Sequence, residues 1–237
     1  MTRLSVNINK AATLRNARGG SKPNVIQFAI DCELFGADGI TVHPRPDERH
    51  IKMSDLDKLR QVIKTEFNIE GYPSKDFLEM VLKIKPHQVT LVPDSPDVLT
   101  SNQGWDTVKN QNFLSSVIHK LHSAGIRTSI FIDPEKEMIK AAKEINTDRI
   151  ELYTESYANN YPINKHEAIN KYIQASRYAQ ELHLGVNAGH DLDLNNLNFF
   201  HKSIPNLIEV SIGHALICDT LYMGLEKTIQ SYKSHLQ

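Results

Sequence analysis

Gly39-Ile-Thr-Val-His-Pro-Arg-Pro-Asp-Glu-Arg-His-Ile51 runs from a short strand pattern into a loop holding two prolines, two arginines and a second histidine. Side chains alternate faces in an extended segment, so Ile40 and Val42 point one way while Thr41, His43 and Arg45 point the other. A face of Thr, His and Arg is costly to bury without partners. It makes sense where a polar ligand fills the space. Arg45 and Arg49 supply planar, permanently charged donors suited to carboxylate or phosphate, and His43 can move a proton near neutral pH. Taken alone, the segment reads equally well as a strand end with a solvated charged loop.

The neighbouring segments alternate in type. Leu4 to Ile8 reads as a first strand, with Leu4, Val6 and Ile8 on one face and Ser5, Asn7 and Asn9 on the other. A loop carrying Arg15, Arg18, Gly19 and Gly20 follows, then a helix from about Asn24 to Phe35, closed by Gly36-Ala-Asp-Gly39. After the second strand, Ser54 is placed to cap a helix with Leu56, Leu59 and Val62 at helical spacing. Further strands are expected at Phe67–Glu70, Gln88–Val92, Arg127–Asp133, Arg149–Thr154, Leu184–Ala188 and Leu207–Ile212, with helical patterns between them. The stretch before the helix at about Lys165, rich in Tyr and Asn, reads as a loop. Eight strand–helix units of roughly 30 residues each predict a parallel sheet with helical crossovers. No linker divides them, so residues 1–237 are expected to form one α/β domain, a single (β/α)8 TIM barrel. An open doubly wound sheet is the alternative, but the turn after its first strand is normally rich in glycine.

Composition narrows the function classes. Lys plus Arg is 27 against 28 for Asp plus Glu, so no overall field recruits nucleic acid or an anionic membrane. No apolar run approaches the roughly 20 residues that span a bilayer, and the N-terminus lacks the apolar core of a signal peptide. A soluble, cytoplasmic protein is expected. Cys32 and Cys218 lie in apolar helical patterns and are read as buried free thiols.

A barrel of this kind carries its active site at the carboxyl ends of the strands. At or just past those ends stand Asn7, His43, Glu70, Thr100, Glu151, His190, Gly213 and His214. Asn7, His43, Glu70 and Glu151 fall on the face opposite the apolar residues. Each alone is as well explained by a strand-end polar group satisfied by backbone or water. Convergence from several strands is harder to explain that way. Against a metal site, His-x-His and Glu-x-x-His pairs are missing and arginines at 18, 45 and 49 would repel a cation. Arginine beside histidine and carboxylate fits proton transfers on a phosphorylated substrate. A second anion signal is Val210-Ser-Ile-Gly-His-Ala215, where glycine precedes a helix start.

These stretches resemble the pyridoxine 5′-phosphate synthase family. The resemblance lies in Val6-Asn-Ile8 with Thr13-Leu-Arg-Asn-Ala-Arg-Gly19, in Gly36-Ala-Asp-Gly-Ile-Thr-Val-His43 with Arg49-His-Ile51, and in Leu91-Val-Pro93. It continues through Ala124-Gly-Ile126 with Ser129-Ile-Phe-Ile-Asp133, Val186-Asn-Ala-Gly-His190 and Ile212-Gly-His-Ala215, so it covers nearly the whole chain in one order. It implies condensation of 1-deoxy-D-xylulose 5-phosphate with 3-amino-2-oxopropyl phosphate to pyridoxine 5′-phosphate, phosphate and water, with no cofactor or metal. By family position His43 and Glu70 accept protons, His190 donates one, and Glu151 stabilises charge on intermediates. The same positions imply that Asn7, Arg18, Asp191, Gly213 and His214 hold the aminoketone phosphate. Asn9, Lys10, Arg45, His50 and Thr100 would hold the deoxyxylulose phosphate. The loop from Thr100 to Trp105 is a candidate lid. A homo-oligomer, an octamer in the family, is expected.

Three positions depart from the family pattern. Asn9-Lys10 stands where Asp-His is usual, and Asp191 where Gly is usual after the histidine. Asn9 loses a charge, Lys10 adds one, and Asp191 would repel a phosphate unless its side chain turns away. Two alternatives stay open: another phosphate-binding barrel isomerase or epimerase, and a catalytically silent paralogue that binds a phosphorylated metabolite.

Overall fold

The structure, a computed structural model, describes residues 1–94 and 103–237. Eight parallel strands close on themselves in sequence order. They are β1 (Arg3–Asn7), β2 (Gly39–Val42), β3 (Glu66–Gly71), β4 (Gln88–Leu91), β5 (Arg127–Ile132), β6 (Arg149–Tyr153), β7 (Gly185–Gly189) and β8 (Leu207–Ile212). β1 pairs with both β2 and β8, which closes the barrel and excludes the open-sheet alternative. Around it lie α1 (Asn9–Ala17), α2 (Val25–Leu34), α3 (Met53–Val62), α4 (Lys75–Ile84), α5 (Gln111–Ser123), α6 (Lys136–Glu144), α7 (Glu155–Glu181), α8 (Leu197–Ser203), α9 (His214–Met223) and α10 (Leu225–Ser234).

Period-two alternation sorts each strand into two layers. Val6, Ile40, Phe67, Ile69, Val89, Ile130, Ile150, Ala188 and Val210 are fully buried and form the apolar layer beneath the helices. The opposite face is polar and fills the lumen. There Ser5 Oγ lies 2.7 Å from Thr41 Oγ1, Asn68 donates to Thr41 at 3.3 Å, and Thr90 donates to Asn68 at 3.1 Å. At the amino-terminal end of the barrel, Glu66 accepts from Arg3 at 2.7 Å and from Arg127, while Arg127 and Arg149 share the Gln88 side-chain oxygen at 2.9 and 3.2 Å.

Four local expectations are corrected. The arginine-bearing segment after β1 is helix α1, not loop; its inward face is Ala11, Ala12 and Arg15, which leaves no apolar stripe to read. Arg15 is buried against Asp55, with both carboxylate oxygens at 2.8 Å. Ser54 does not cap α3. The helix begins at Met53, and its first amides are taken by Glu48 at 2.8 Å and, from Lys52, by Asp55 at 2.9 Å. The Tyr- and Asn-rich segment is the first part of α7, broken at Asn164, whose φ of −153° and ψ of 92° are not helical. Both cysteines are free, but only Cys32 is buried; Cys218 is half-buried on α9. No helix among the described residues is long and apolar enough to cross a membrane.

Candidate active site

The carboxyl ends of β1, β2, β3, β6 and β7 bring one polar group together. Asn7, the last residue of β1, donates to Glu70 Oε2 at 3.3 Å, and its side-chain oxygen accepts the Asn9 amide at 3.1 Å. The Asn9 side-chain oxygen in turn accepts the His43 amide at 2.9 Å, tying the start of α1 to the end of β2. His43 Nδ1 lies 4.0 Å from Glu70 Oε2. Deeper in the lumen Glu151 lies against Thr90, 3.5 Å away, and directly over Gly189. A Cβ on Gly189 would come within 2.3 Å of Glu151 Oε1, so only glycine leaves room for that carboxyl. Gly213 packs its Cα on the Asn7 side chain and opens α9, so that the helix start faces the same mouth.

His190 follows β7 with an unusual backbone. It has φ +76° and Asp191 has φ +53°, a left-handed conformation that costs side-chain-bearing residues energy, least for Asn and Asp. Neighbours hold the pair in place. Thr154 Oγ1 donates to the carbonyls of Gly189, at 2.9 Å, and of His190, and Asn196 donates to the Asp191 carbonyl at 3.1 Å. The Tyr153 ring stands edge-on to the imidazole with centroids 5.1 Å apart. The Asp191 carboxylate turns back onto His190 Nδ1 at 2.7 Å.

Burial separates the protonation states of these groups. His43 is held well below the ordinary imidazole range, first by desolvation and then by the charges of Arg45, His50 and Arg49. Burial pushes Glu70 up to about 7, reinforced by Asp94 and opposed by His190, the Ser211 hydroxyl and Arg45. Glu151 is raised well above the carboxylate range by burial, Glu70 and Glu209. His190 goes the other way from His43: burial lowers it, but Asp191, Glu70 and Glu155 together outweigh that and raise it. The mouth therefore sets an imidazole that burial keeps neutral beside one whose proton is favoured, and a carboxyl shifted toward its neutral form beside one pushed up to about 7. Such a spread equips one pocket for successive proton transfers in both directions.

The other expected residues are less uniformly placed. Arg45 is buried and its Nη2 is engaged by the equally buried Asp94 at 2.8 Å. His50 stands edge-on to His43 at 6.3 Å, and burial with the charges of Arg45, Lys10 and Arg49 lowers it to about 4. Its backbone carbonyl is clamped from α1 by Arg15 at 3.0 Å and Asn16 at 2.7 Å. Lys10 is exposed at the start of α1, and its charge acts on His50. Arg18 is exposed at the far end of α1, and no hydrogen bond or ion pair among the described residues joins it to the mouth. The His214 ring leans on Cys218 of its own helix at 3.7 Å, so what this position presents to the mouth is backbone. Thr100 lies outside the described residues. At the described end of the candidate lid, Trp105 is buried and stacked on Tyr72, and the Gly104 amide donates to Asp133 at 3.0 Å.

Sequence reasoning missed Asp94, Ser211 and Asn187. Asp94 was legible as an acid just past Leu91-Val-Pro93, and Asn187 by its alternation with Val186 and Ala188. Asn187 is buried, and neither of its side-chain polar atoms has a partner among the described residues.

Comparison with known proteins identifies the family. Residues 4–237 match the family described as pyridoxal phosphate biosynthesis protein PdxJ. The chain is 61% identical over 237 residues to the pyridoxine 5′-phosphate synthase of Bacteroides thetaiotaomicron, covering 100% of both chains. It is 58% identical over the same length, again with 100% coverage of both, to that of Cytophaga hutchinsonii. Among solved structures, 3-keto-L-gulonate-6-phosphate decarboxylase from Vibrio cholerae superposes with a TM-score of 0.67 at 10% identity, over 99% of this chain and 97% of that one. At that identity the likeness concerns the barrel alone.

Proposed function

The chain belongs to the PdxJ family and has pyridoxine 5′-phosphate synthase activity, and we propose that it condenses 1-deoxy-D-xylulose 5-phosphate with 3-amino-2-oxopropyl phosphate at the barrel mouth. Joining amine to ketone, eliminating phosphate, dehydrating and closing an aromatic ring all require protons to be taken from carbon and given to oxygen. His43, neutral at pH 7, and Glu70, near its midpoint, are the acceptors. His190, whose protonated form Asp191, Glu70 and Glu155 favour, is the donor. Burial, Glu70 and Glu209 shift Glu151 toward its neutral form, which stabilises developing negative charge on oxygen by donating a hydrogen bond rather than by its own charge.

The aminoketone phosphate is assigned to Asn7 and the start of α9 at Gly213 and His214, where free amides and the helix dipole favour an anion. Arg18 supplies a cation from the exposed end of α1. The deoxyxylulose phosphate is assigned to Arg45, His50, Asn9, Lys10 and Thr100. The chain is taken to assemble as a homo-oligomer, for which the exposed Leu221 and Tyr222 on α9 offer apolar surface.

The observation that carries this reading is the convergence of His43, Glu70, Glu151 and His190 from four strands, the two histidines shifted in opposite directions. Its test is incubation of the purified protein with both substrates, each alone as control, and detection of pyridoxine 5′-phosphate by mass. Product is expected only with both, and sharply less from Glu70→Ala and His190→Ala. A wild-type protein that binds both compounds and forms nothing would overturn the reading.

A further inference from the structure

Asp191 was expected to touch substrate, yet its carboxylate is turned onto the His190 ring. The contact is with Nδ1, at 2.7 Å. A carboxylate accepts only, so Nδ1 carries the hydrogen of this contact, and exchange with substrate is assigned to Nε2. The backbone is bent for this contact: two consecutive residues take positive φ, and Thr154 and Asn196 fix three of the carbonyls on either side of and within the turn. The Tyr153 ring blocks one flank of the imidazole, while its own hydroxyl is drawn away to Glu155 at 2.8 Å.

We propose that Asp191 is a positioning residue for the reaction: its carboxylate orients the His190 ring through Nδ1 and holds the proton that Nε2 delivers. This rests on the reading of His190 as the acid. The same logic operates wherever a carboxylate fixes the tautomer of a working histidine and stabilises its charged form. Three carboxyl groups face His190. They are Asp191 beside it, Glu70 from β3 and Glu155 from the start of α7. Asp191 hydrogen-bonds the ring directly, at Nδ1. Glu70 is near its midpoint at pH 7, and Glu155 is taken up by Tyr153. Asp191 is thus the group whose removal should move the histidine most.

The test uses Asp191→Asn, which keeps the size and the tolerance for left-handed backbone but not the charge, and Asp191→Gly, which relieves the backbone and removes the acceptor. NMR titration of His190 in the free protein reads the proton directly, with His190→Ala to assign the signal. Both variants should titrate at lower pH than wild type. Since the acid must be protonated to work, the alkaline limb of kcat should move to lower pH in both. The loss should be largest on the alkaline side, on the order of tenfold, and should shrink as the pH falls. A His190 signal that titrates at the wild-type pH in Asp191→Asn overturns the proposal, even if Asp191→Gly shifts it, because the charge then plays no part. The titration needs no turnover. If it moves while His190→Ala stays fully active, the pairing stands and it is the assignment of His190 as the acid that fails.

Discussion

The two ends of the barrel are built from the same residue types and do opposite things. At the amino-terminal end Glu66 and Glu209 are surrounded by Arg3, Arg127 and Arg149, and the nearest contacts are ion pairs and hydrogen bonds from these guanidinium groups. At the carboxyl end Glu70 faces two imidazoles, an amide and a hydroxyl. Yet both Glu70 and Glu209 are pushed up to about 7, Glu209 by burial and Glu66 against the pull of the three arginines. A displaced pKa therefore does not mark catalysis by itself. What differs is the company: fixed cations lock a carboxylate in place, whereas groups that can exchange a proton with it make it usable.

Exchanging the carboxyls for amides at the two ends separates these roles most widely. Glu70→Gln should lower kcat/KM by roughly 10²–10⁴-fold, the range that a positioned base contributes. Glu209→Gln should leave it within about twofold. The folded-state pKa of Glu70 lies above the ordinary 4.5, so ionising it works against folding. That penalty is absent below pH 4.5, grows as the pH rises and is complete above about 7. Glu70→Gln should therefore melt higher than wild type at pH 8 and not at pH 4, gaining stability where it loses activity. Equal loss of rate in both variants would erase the distinction between the ends.

The next largest effect belongs to the closed end. Glu66→Ala removes the acceptor shared by Arg3 and Arg127 and leaves these half-buried guanidinium groups underpaired, for a stability loss of about 1–3 kcal/mol in denaturant unfolding. Turnover of the folded fraction should stay near wild type.

The pH profile sharpens the same contrast with a smaller change. The acid limb of kcat/KM should fall near 7, because Glu70 must lose its proton to act as a base, and rate should decline again at alkaline pH as His190 loses its own. Glu209, shifted as far, should contribute nothing to that limb, so Glu209→Gln should reproduce it.

The sequence exposed the working end better than the closed one. Alternation within single strands was enough to put Asn7, His43, Glu70 and Glu151 on the inner face, since a strand of four or five residues settles which side each residue takes. The locks were not legible, because they join residues far apart in sequence: Arg15 with Asp55, Arg45 with Asp94, Arg3 with Glu66. Arg45 illustrates the cost. It was read as a phosphate-binding cation, and the carboxylate that a buried guanidinium also needs, Asp94, was not recognised as its partner. Helix α1 escaped for a related reason. Its buried face is two alanines and an arginine, so it is held by a salt bridge rather than by an apolar stripe.

Between the two ends runs the belt of small polar groups from Ser5 to Thr90, and Thr90→Val tests which end it serves. Valine keeps the shape and removes the hydroxyl that donates to Asn68 at 3.1 Å and lies 3.5 Å from Glu151. Losing one buried hydrogen bond should cost about 1 kcal/mol of stability. The consequence for rate depends on the charge of Glu151. The Thr90 hydroxyl favours the ionised carboxylate, so its removal pushes Glu151 further toward the neutral form that burial, Glu70 and Glu209 already impose. If Glu151 works as a neutral donor, kcat should stay within about threefold of wild type. A fall approaching that of Glu70→Gln would mean that Glu151 must ionise during turnover, and that the donor role assigned to it is wrong.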